Sequence, residues 1–433
     1  MVNGGRRHGT ARYFHPVQKG SNTTAAVVVL GALFFLFGFT TWINGPLIGY
    51  LKIICELKDG AEPFYVTFAF YIAYFVTALP MSRVLQRTGM KRGMMYGLFT
   101  MAVGALLFIP AAQGRSYGLF LLGLFVIGTG LSLLQTASNP YITVVGPIES
   151  AAARISIMGI CNKLAGVLAP LALGFLLLDD AATLQAELSA LGPTELAAKL
   201  DEVATRVIVP YGIMAVVLFG LGLMVLYSPL PELDPEVETP VEKADERSIL
   251  SYPNLVLGVI ALFLYVGVEV MAGDTIGLFG RSQGMPLEDT MHLTSYTLAC
   301  MVVGYIIGIV GIPRFFSQST ALAASAVLGV VLTLAAISFD GTVSVYCIAL
   351  LGLANALVWP AIWPLAINGL GHHTKTGSAL LIMAIAGGAI LPLVYGSLAG
   401  MPAIGYQKAY WIMVPCYLFM GWYGLKGARK LCW

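Results

Sequence analysis

The sequence predicts an all-α polytopic membrane protein with twelve transmembrane helices in two six-helix repeats. Composition is the first ground. Of 433 residues, 58% are hydrophobic and only 11% charged, whereas soluble domains carry about 25% charged residues. That balance excludes an ordinary soluble enzyme. The second ground is the recurrence of apolar runs of about 18 residues or more, the length that crosses a bilayer as a helix. The third is a single acidic, proline-rich segment at the midpoint, with matching motifs on either side. A transmembrane β-barrel needs short strands of alternating polarity, and that pattern is absent. The 49 glycines and 22 prolines suit polytopic helices, where both are commoner than in soluble ones.

Residues 1–24 are basic and have no small-residue cleavage site before a short apolar core, so they read as a retained cytoplasmic tail. An N-terminal six-helix bundle follows over 25–228, with spans near 25–51, 64–85, 92–112, 117–144, 155–178 and 207–228. Between the last two, residues 179–206 form an external excursion. Glu187, Leu188, Leu191, Glu195, Leu196, Leu200 and Val203 recur there at roughly helical spacing. A short interfacial helix is expected, and a lid over the substrate is a second reading. Residues 229–250, PLPELDPEVETPVEKADERSIL, hold seven of the 22 acids and four prolines. Such a segment buries too little apolar surface to fold alone and reads as a cytoplasmic linker. The C-terminal bundle, 251–433, has spans near 251–279, 290–314, 320–338, 342–368, 374–399 and 407–428.

The halves repeat. Gln135–Pro140 and Trp359–Pro364 share an offset of 224, and Pro170/Pro392 and Gly174/Gly396 an offset of 222. A parallel repeat of six plus six helices marks a transporter, with its site at the interface between the halves. With both termini cytoplasmic, Arg83, Arg87, Lys91, Arg92, Arg154, Lys243, Arg247, Arg314 and Lys375 join the two basic ends on the inside. Lys52, Lys58, Arg115, Lys199, Arg206, Arg281 and Lys408 remain outside. The inside excess sets that orientation. The six cysteines form no CxxC pair or metal spacing, and most read as small core residues. No metal, cofactor or nucleic-acid partner is expected, and the unit is taken as a monomer in a lipid bilayer.

Polar residues inside the apolar runs carry the functional signal. In hydrocarbon each unpartnered polar group costs several kcal/mol, on the order of a lost hydrogen bond or more, so those present face a bundle interior or a water-filled cavity. Asn44, Gln135, Asn139, Asn162, Asn355 and Asn368 are amides in such runs, and Trp42, Trp359 and Trp363 are indoles in them. Amides donate to and accept from hydroxyls, and an aromatic face covers the C–H groups of a sugar. Trp359 stands at the repeat position of Gln135. Trp411, Trp422 and Trp433 read as membrane-interface residues instead, and Asn139 serves equally well as a helix–helix hydrogen bonder beside the Pro140 kink. Lys163, Glu269 and Asp274 are the buried charges. Lys163 is able to pair with either acid across the halves, as a fixed lock or as part of the site. Glu269, the deeper acid, is the preferred coupling group. Na⁺ would need several oxygen ligands, which Asn44, Thr275 and backbone carbonyls could supply. His372 and His373 fall in a cytoplasmic loop and read as solvated. Glycines 377, 387, 388 and 396 permit close helix approach.

The loop MSRVLQRTGMKRG (81–93) resembles the loop between helices 2 and 3 of the major facilitator superfamily: Arg87, Gly89, Lys91 and Arg92 fit, and Gln86 stands where Asp is common. FFLFGFTTWINGPLI (34–48), LLQTASNPYITVVGP (133–147), SIMGICNKLAG (156–166), LYVGVE (264–269) and INGLGHHTKTGSALLIMAIAGGAILPLVYG (367–396) resemble the fucose permease and glucose/galactose permease family within it. The resemblance covers about residues 30–425. It implies the major facilitator fold, an inner-membrane location and import of a hexose by alternating access. Proton-coupled fucose permeases carry one acid directly after the helix-1 Asn and another in helix 4. Here those positions are Gly45 and Gln135, and neither titrates.

The expected function is secondary active import of a hexose, glucose or galactose first, with Na⁺ or H⁺ as the coupling ion. The expected substrate contacts are Asn44, Gln135, Asn139, Asn162, Lys163, Trp359, Trp363 and Asn355, and the cation-coupling residues are Glu269 and Asp274. Uniport, export on the same fold and a non-transporting sugar sensor remain as rivals. No catalytic triad, metal spacing or phosphate loop argues for an enzyme.

Overall fold

The computed structural model describes residues 23–144, 151–178, 181–228, 248–311, 315, 317–370 and 373–430. Among these, eleven helical segments are long and apolar enough to cross a membrane. They are Val27–Ile54, Glu62–Leu85, Met90–Gln113, Tyr117–Ser138, Ile157–Leu177, Pro193–Tyr227, Pro253–Asp274, Leu287–Gly311, Gln318–Ser338, Gly341–Ile367 and Thr376–Ala399. A twelfth helical stretch is assembled from Gly405–Ala409, a tight turn over Tyr410–Ile412, and Met413–Leu425. The expected linker falls outside the described residues over 229–247.

Helix pairing repeats between the halves. The third span packs on the fourth and sixth, the second on the fourth, and the first on the fifth. The same relations recur six spans later: ninth on tenth and twelfth, eighth on tenth, seventh on eleventh. Across the halves the fifth span packs on the eighth and the second on the eleventh, which exchange under a two-fold axis between the repeats. Close approach relies on glycine. A Cβ at Gly38 would overlap the Asn162 carbonyl, and one at Gly387 the Phe263 carbonyl. Gly89 ends the second span with φ 77°, a left-handed turn that favours glycine, which accounts for the glycine of the 81–93 motif.

Several spans are broken in mid-course. The first is helical over Thr23–Trp42 and again over Asn44–Ile54; the seventh over Pro253–Asp274 and Ile276–Ser282; the tenth over Gly341–Asn355 and Val358–Ile367. Broken helices are tolerated at membrane depth where protein or a cavity takes up the freed backbone groups. Each of these three breaks lies directly beside one candidate residue: Asn44, Asp274 or Asn355.

The excursion differs from expectation in forming two helices, Ala181–Ala190 and Pro193–Thr205, rather than one. Gly192 is extended and Pro193 begins the second helix, where its missing N–H costs nothing and it cannot continue the first. This second helix is fixed to its own half: Tyr50 Oη donates to the Val203 carbonyl at 2.7 Å, and Arg115 pairs with Asp201 at 2.8 Å. His373 departs from the solvated reading too. It is half-buried with its ring 5.8 Å from that of Tyr252.

Candidate functional site

The centre of the site is the indole of Trp42. It ends the first piece of the first span and lies between Gly166 of the fifth span and Gly273 of the seventh. A Cβ at either glycine would meet the ring. Lys163, about one turn before Gly166, places Nζ 4.7 Å from the Trp42 ring centre and 2.7 Å from Glu269 Oε1. This ion pair joins the two halves. Both side chains are only 9% exposed, so each ion has left water at a cost of several kcal/mol, on the order of a strong buried interaction. The charge pairing and the cation–π contact offset that cost. Of the two acids open to Lys163 from sequence, Glu269 is the one it pairs with.

Asp274 lies five residues further along the same helix, about 7.5 Å by helical rise. It is 1% exposed, and neither carboxylate oxygen has a hydrogen-bond partner. The eighth span supports the backbone beside it: Thr294 Oγ1 donates to the Gly273 carbonyl at 2.7 Å and Thr297 Oγ1 to that of Ala272 at 3.2 Å. Thr275 Oγ1 donates to the Met271 carbonyl and lies 2.8 Å from Tyr410 Oη. Asn44 is fully buried, with both amide atoms unpartnered. Its neighbour Gly45 packs directly on Thr294, whose Oγ1 a Cβ there would overlap.

The remaining candidates are more dispersed. Asn162, half-buried, donates to the Phe34 carbonyl at 3.4 Å. Gln135 is half-buried on the fourth span, and the Asn139 side chain lies outside the described residues. Trp359 and Trp363 stack at 5.5 Å and are half-buried. Tyr265, about one turn before Glu269, approaches Trp359 with ring centres 6.4 Å apart, which ties the Trp pair to the ion-pair helix. Asn355 is fully buried. It accepts from Tyr417 Oη at 2.9 Å, and its Nδ2 is unpartnered. Sequence reading missed the central part of Trp42, which it saw only as one of three indoles, and the backing from Thr294 and Thr297. Gly166 and Gly273 were the available signal, as small residues flanking the two charged positions.

At the end of the bundle that carries the excursion, the halves meet again. Tyr406 Oη donates to Asp59 Oδ1 at 3.0 Å, and Lys52 Nζ lies 2.6 Å from the same oxygen. Lys52 holds the Asp59 carboxyl below the usual carboxylate range, partial burial opposes this, and Tyr406 adds to the lowering. A Cβ at Gly400 would meet the Gly60 backbone, and Phe64 packs edge-on to Tyr395. A cavity of about 280 Å³ lies at this end, lined by Gly45, Gly49, Lys52, Leu184, Arg281 and Thr290 among others. None of Lys163, Glu269 or Asp274 lines it.

Comparison with known proteins decides the class. Residues 30–393 match the Major Facilitator Superfamily. The chain belongs to this superfamily. The glucose/galactose transporter of Brucella abortus (strain 2308) is 35% identical over 408 residues, covering 94% of each chain. A putative glucose/galactose transporter of Helicobacter pylori (strain J99) is 31% identical over 96% of this chain and 99% of its own. Among solved structures, that of the E. coli fucose:proton symporter is 26% identical and superposes with a TM-score of 0.72, covering 93% of this chain and 98% of that one. The superfamily and fold are those of membrane transporters rather than enzymes. Within the superfamily the chain belongs with the glucose/galactose and fucose permease group expected from its motifs.

Proposed function

We propose that this protein imports a hexose, glucose or galactose, across the inner membrane by alternating access, as a symporter driven by Na⁺ or H⁺. The observation that carries the reading is the buried Lys163–Glu269 pair beneath Trp42. It places opposite charges on the two halves, at a depth where charge is expensive and functional by default. Relatives named for glucose, galactose and fucose transport support the substrate class. Both termini face the cytoplasm, so the Asp59–Tyr406 end faces outward, and in this structure the halves are packed together there. The half-buried Gln135, Asn162, Trp359 and Trp363 are the substrate contacts in first place, with Lys163 and the more deeply buried Asn44 and Asn355 behind them and Asn139 about one turn after Gln135 along the fourth span. Glu269 and Asp274 couple the cation.

No covalent step is involved. Reversing a 1:99 balance between outward and inward states takes about 5.5 kcal/mol of differential affinity, and sugar and ion supply it together. The test is uptake of labelled glucose into sealed liposomes, with galactose, fucose and N-acetylglucosamine as competitors. An inward Na⁺ gradient, an inward proton gradient and no gradient are compared. Accumulation above equilibrium under one gradient is the expected result. Equilibration alone identifies a uniporter, and binding without movement identifies a sensor.

A further inference from the structure

We propose that the two acids of the seventh span have separate roles, and that Asp274, not Glu269, takes the coupled proton. This rests on the symport reading above and narrows it to one group and one ion. Glu269 is already committed: Lys163 neutralises it at 2.7 Å, under the Trp42 ring. Asp274 is 1% exposed and has no donor to either oxygen. A buried carboxylate in that position has to dispose of its charge, and it does so by binding a proton or a metal cation.

The surroundings favour the proton. A metal cation needs several oxygens converging on it. Near Asp274, the Thr294 and Thr297 hydroxyls and the Gly273 and Ala272 carbonyls are engaged with one another, and Trp42 covers Gly273. A proton needs only the carboxylate. The titratable groups around it are Glu269 and its partner Lys163, Tyr71 of the second span, which like Val270 lies against Gly388, and Tyr410, reached through Thr275. His292, at the start of the eighth span, lies against Gly174 of the fifth instead. Asp274 also stands beside the break at Thr275 and opposite the break at Ile43, where Gly45 packs on Thr294. Separating the halves at this end moves that wall away. Outward opening therefore admits a proton from outside to Asp274, and inward opening releases the same proton to the cytoplasm, with one positive charge moved per cycle.

The test is pH-dependent infrared difference spectroscopy of the purified protein, followed by liposome uptake. Expected are a titrating carboxylic-acid C=O band in the wild type, its loss in D274N, its return at a shifted frequency in D274E, and its persistence in E269Q. In liposomes D274N brings sugar accumulation under a proton gradient down to a ratio of one, and D274E restores part of it. A band that survives in D274N overturns the proposal, as does undiminished proton-driven accumulation in D274N or accumulation that follows Na⁺ alone. A wild type that shows the Asp274 band yet moves no sugar removes the sugar reading and leaves the proton site standing.

Discussion

The first and seventh spans hold equivalent places in the two halves, and both break in mid-course, at Ile43 and at Thr275. Beside the first break stand Asn44 and Gly45, which do not ionise. Beside the seventh stands Asp274, with Glu269 five residues before it. The N-terminal half thus brings amides and one cation to the centre, and the C-terminal half brings the acids and the Trp359–Trp363 pair. Packing gives the physical reason for the asymmetry at residue 45. A side chain there would run into Thr294, so the first break is a steric seam between the halves. The seventh break has room for a carboxylate and is the electrostatic one. Charge complementarity across the interface, rather than within either half, is what opening and closing has to respect.

The largest predicted effect comes from breaking that complementarity. Glu269→Gln leaves Lys163 buried without a counter-ion, a loss of about 3–5 kcal/mol for a broken buried pair, and abolishes uptake. Lys163→Met strands Glu269 with the same outcome. The double variant K163M/E269L removes both charges and is expected to recover thermal stability in detergent, because apolar replacement of a whole buried pair is often neutral or stabilising. Uptake is expected to stay absent. Recovery of uptake in the double variant would reduce the pair to a lock.

Next come the amides of the N-terminal half. On the proposed site, Gln135→Ala and Asn162→Ala are each expected to weaken sugar binding by about 1.5 kcal/mol or more, which is at least about tenfold in apparent affinity, with normal expression. Labelled-sugar binding to purified protein checks this separately from transport. Unchanged affinity in both would move the sugar to the Trp359–Trp363 side.

How much of this was legible beforehand follows from what each signal depends on. Span number, the pairing of the halves and the charged trio Lys163, Glu269 and Asp274 came from composition and spacing, because a charge in hydrocarbon stands out in any register. The choice of Glu269 over Asp274 as partner of Lys163 was not legible, since it depends on helix rotation and on the Thr275 break. The break at Ile43 does leave a mark: Pro46 follows three residues on and, having no N–H, leaves the Trp42 carbonyl without its helical partner. The break at Thr275 has no such proline. The part of Trp42 was hidden because it depends on helix rotation. Only its packing against Gly166 and Gly273, on two other spans, sets its ring against the Lys163 ammonium.

A smaller effect is expected at the steric seam. Gly45→Ala pushes a methyl group into Thr294 and weakens its 2.7 Å bond to the Gly273 carbonyl. Overpacking of this kind costs about 1–3 kcal/mol, here paid only in the state where the halves are closed at that end. The balance moves toward opening by roughly tenfold. Accessibility of a cysteine placed at Gly49, on the cavity wall, reads the shift. Labelling no faster in Gly45→Ala than in the parent would mean that the seam yields without opening.

The smallest effect belongs to the contact of Lys52, Asp59 and Tyr406. Its sign is fixed by Asp59, whose carboxyl the Lys52 ammonium holds below the usual carboxylate range. Lys52 lies in the same half and lowers the carboxyl whether or not the halves are closed; the part that depends on closure is the further lowering by Tyr406 of the other half. That part is present above the free carboxyl value and is lost as pH falls through the lowered one, so this contact adds no pH dependence between neutral pH and about pH 5. Asp59→Asn removes it at neutral pH. The Asp59 side chain is 70% exposed, and exposed pairs are worth about 0–1 kcal/mol, less in high salt. The expected result is labelling at Gly49 faster by about fivefold at most, with the difference shrinking as salt rises. An unchanged labelling rate in Asp59→Asn would show that the Asp59–Tyr406 bond does not hold the halves together.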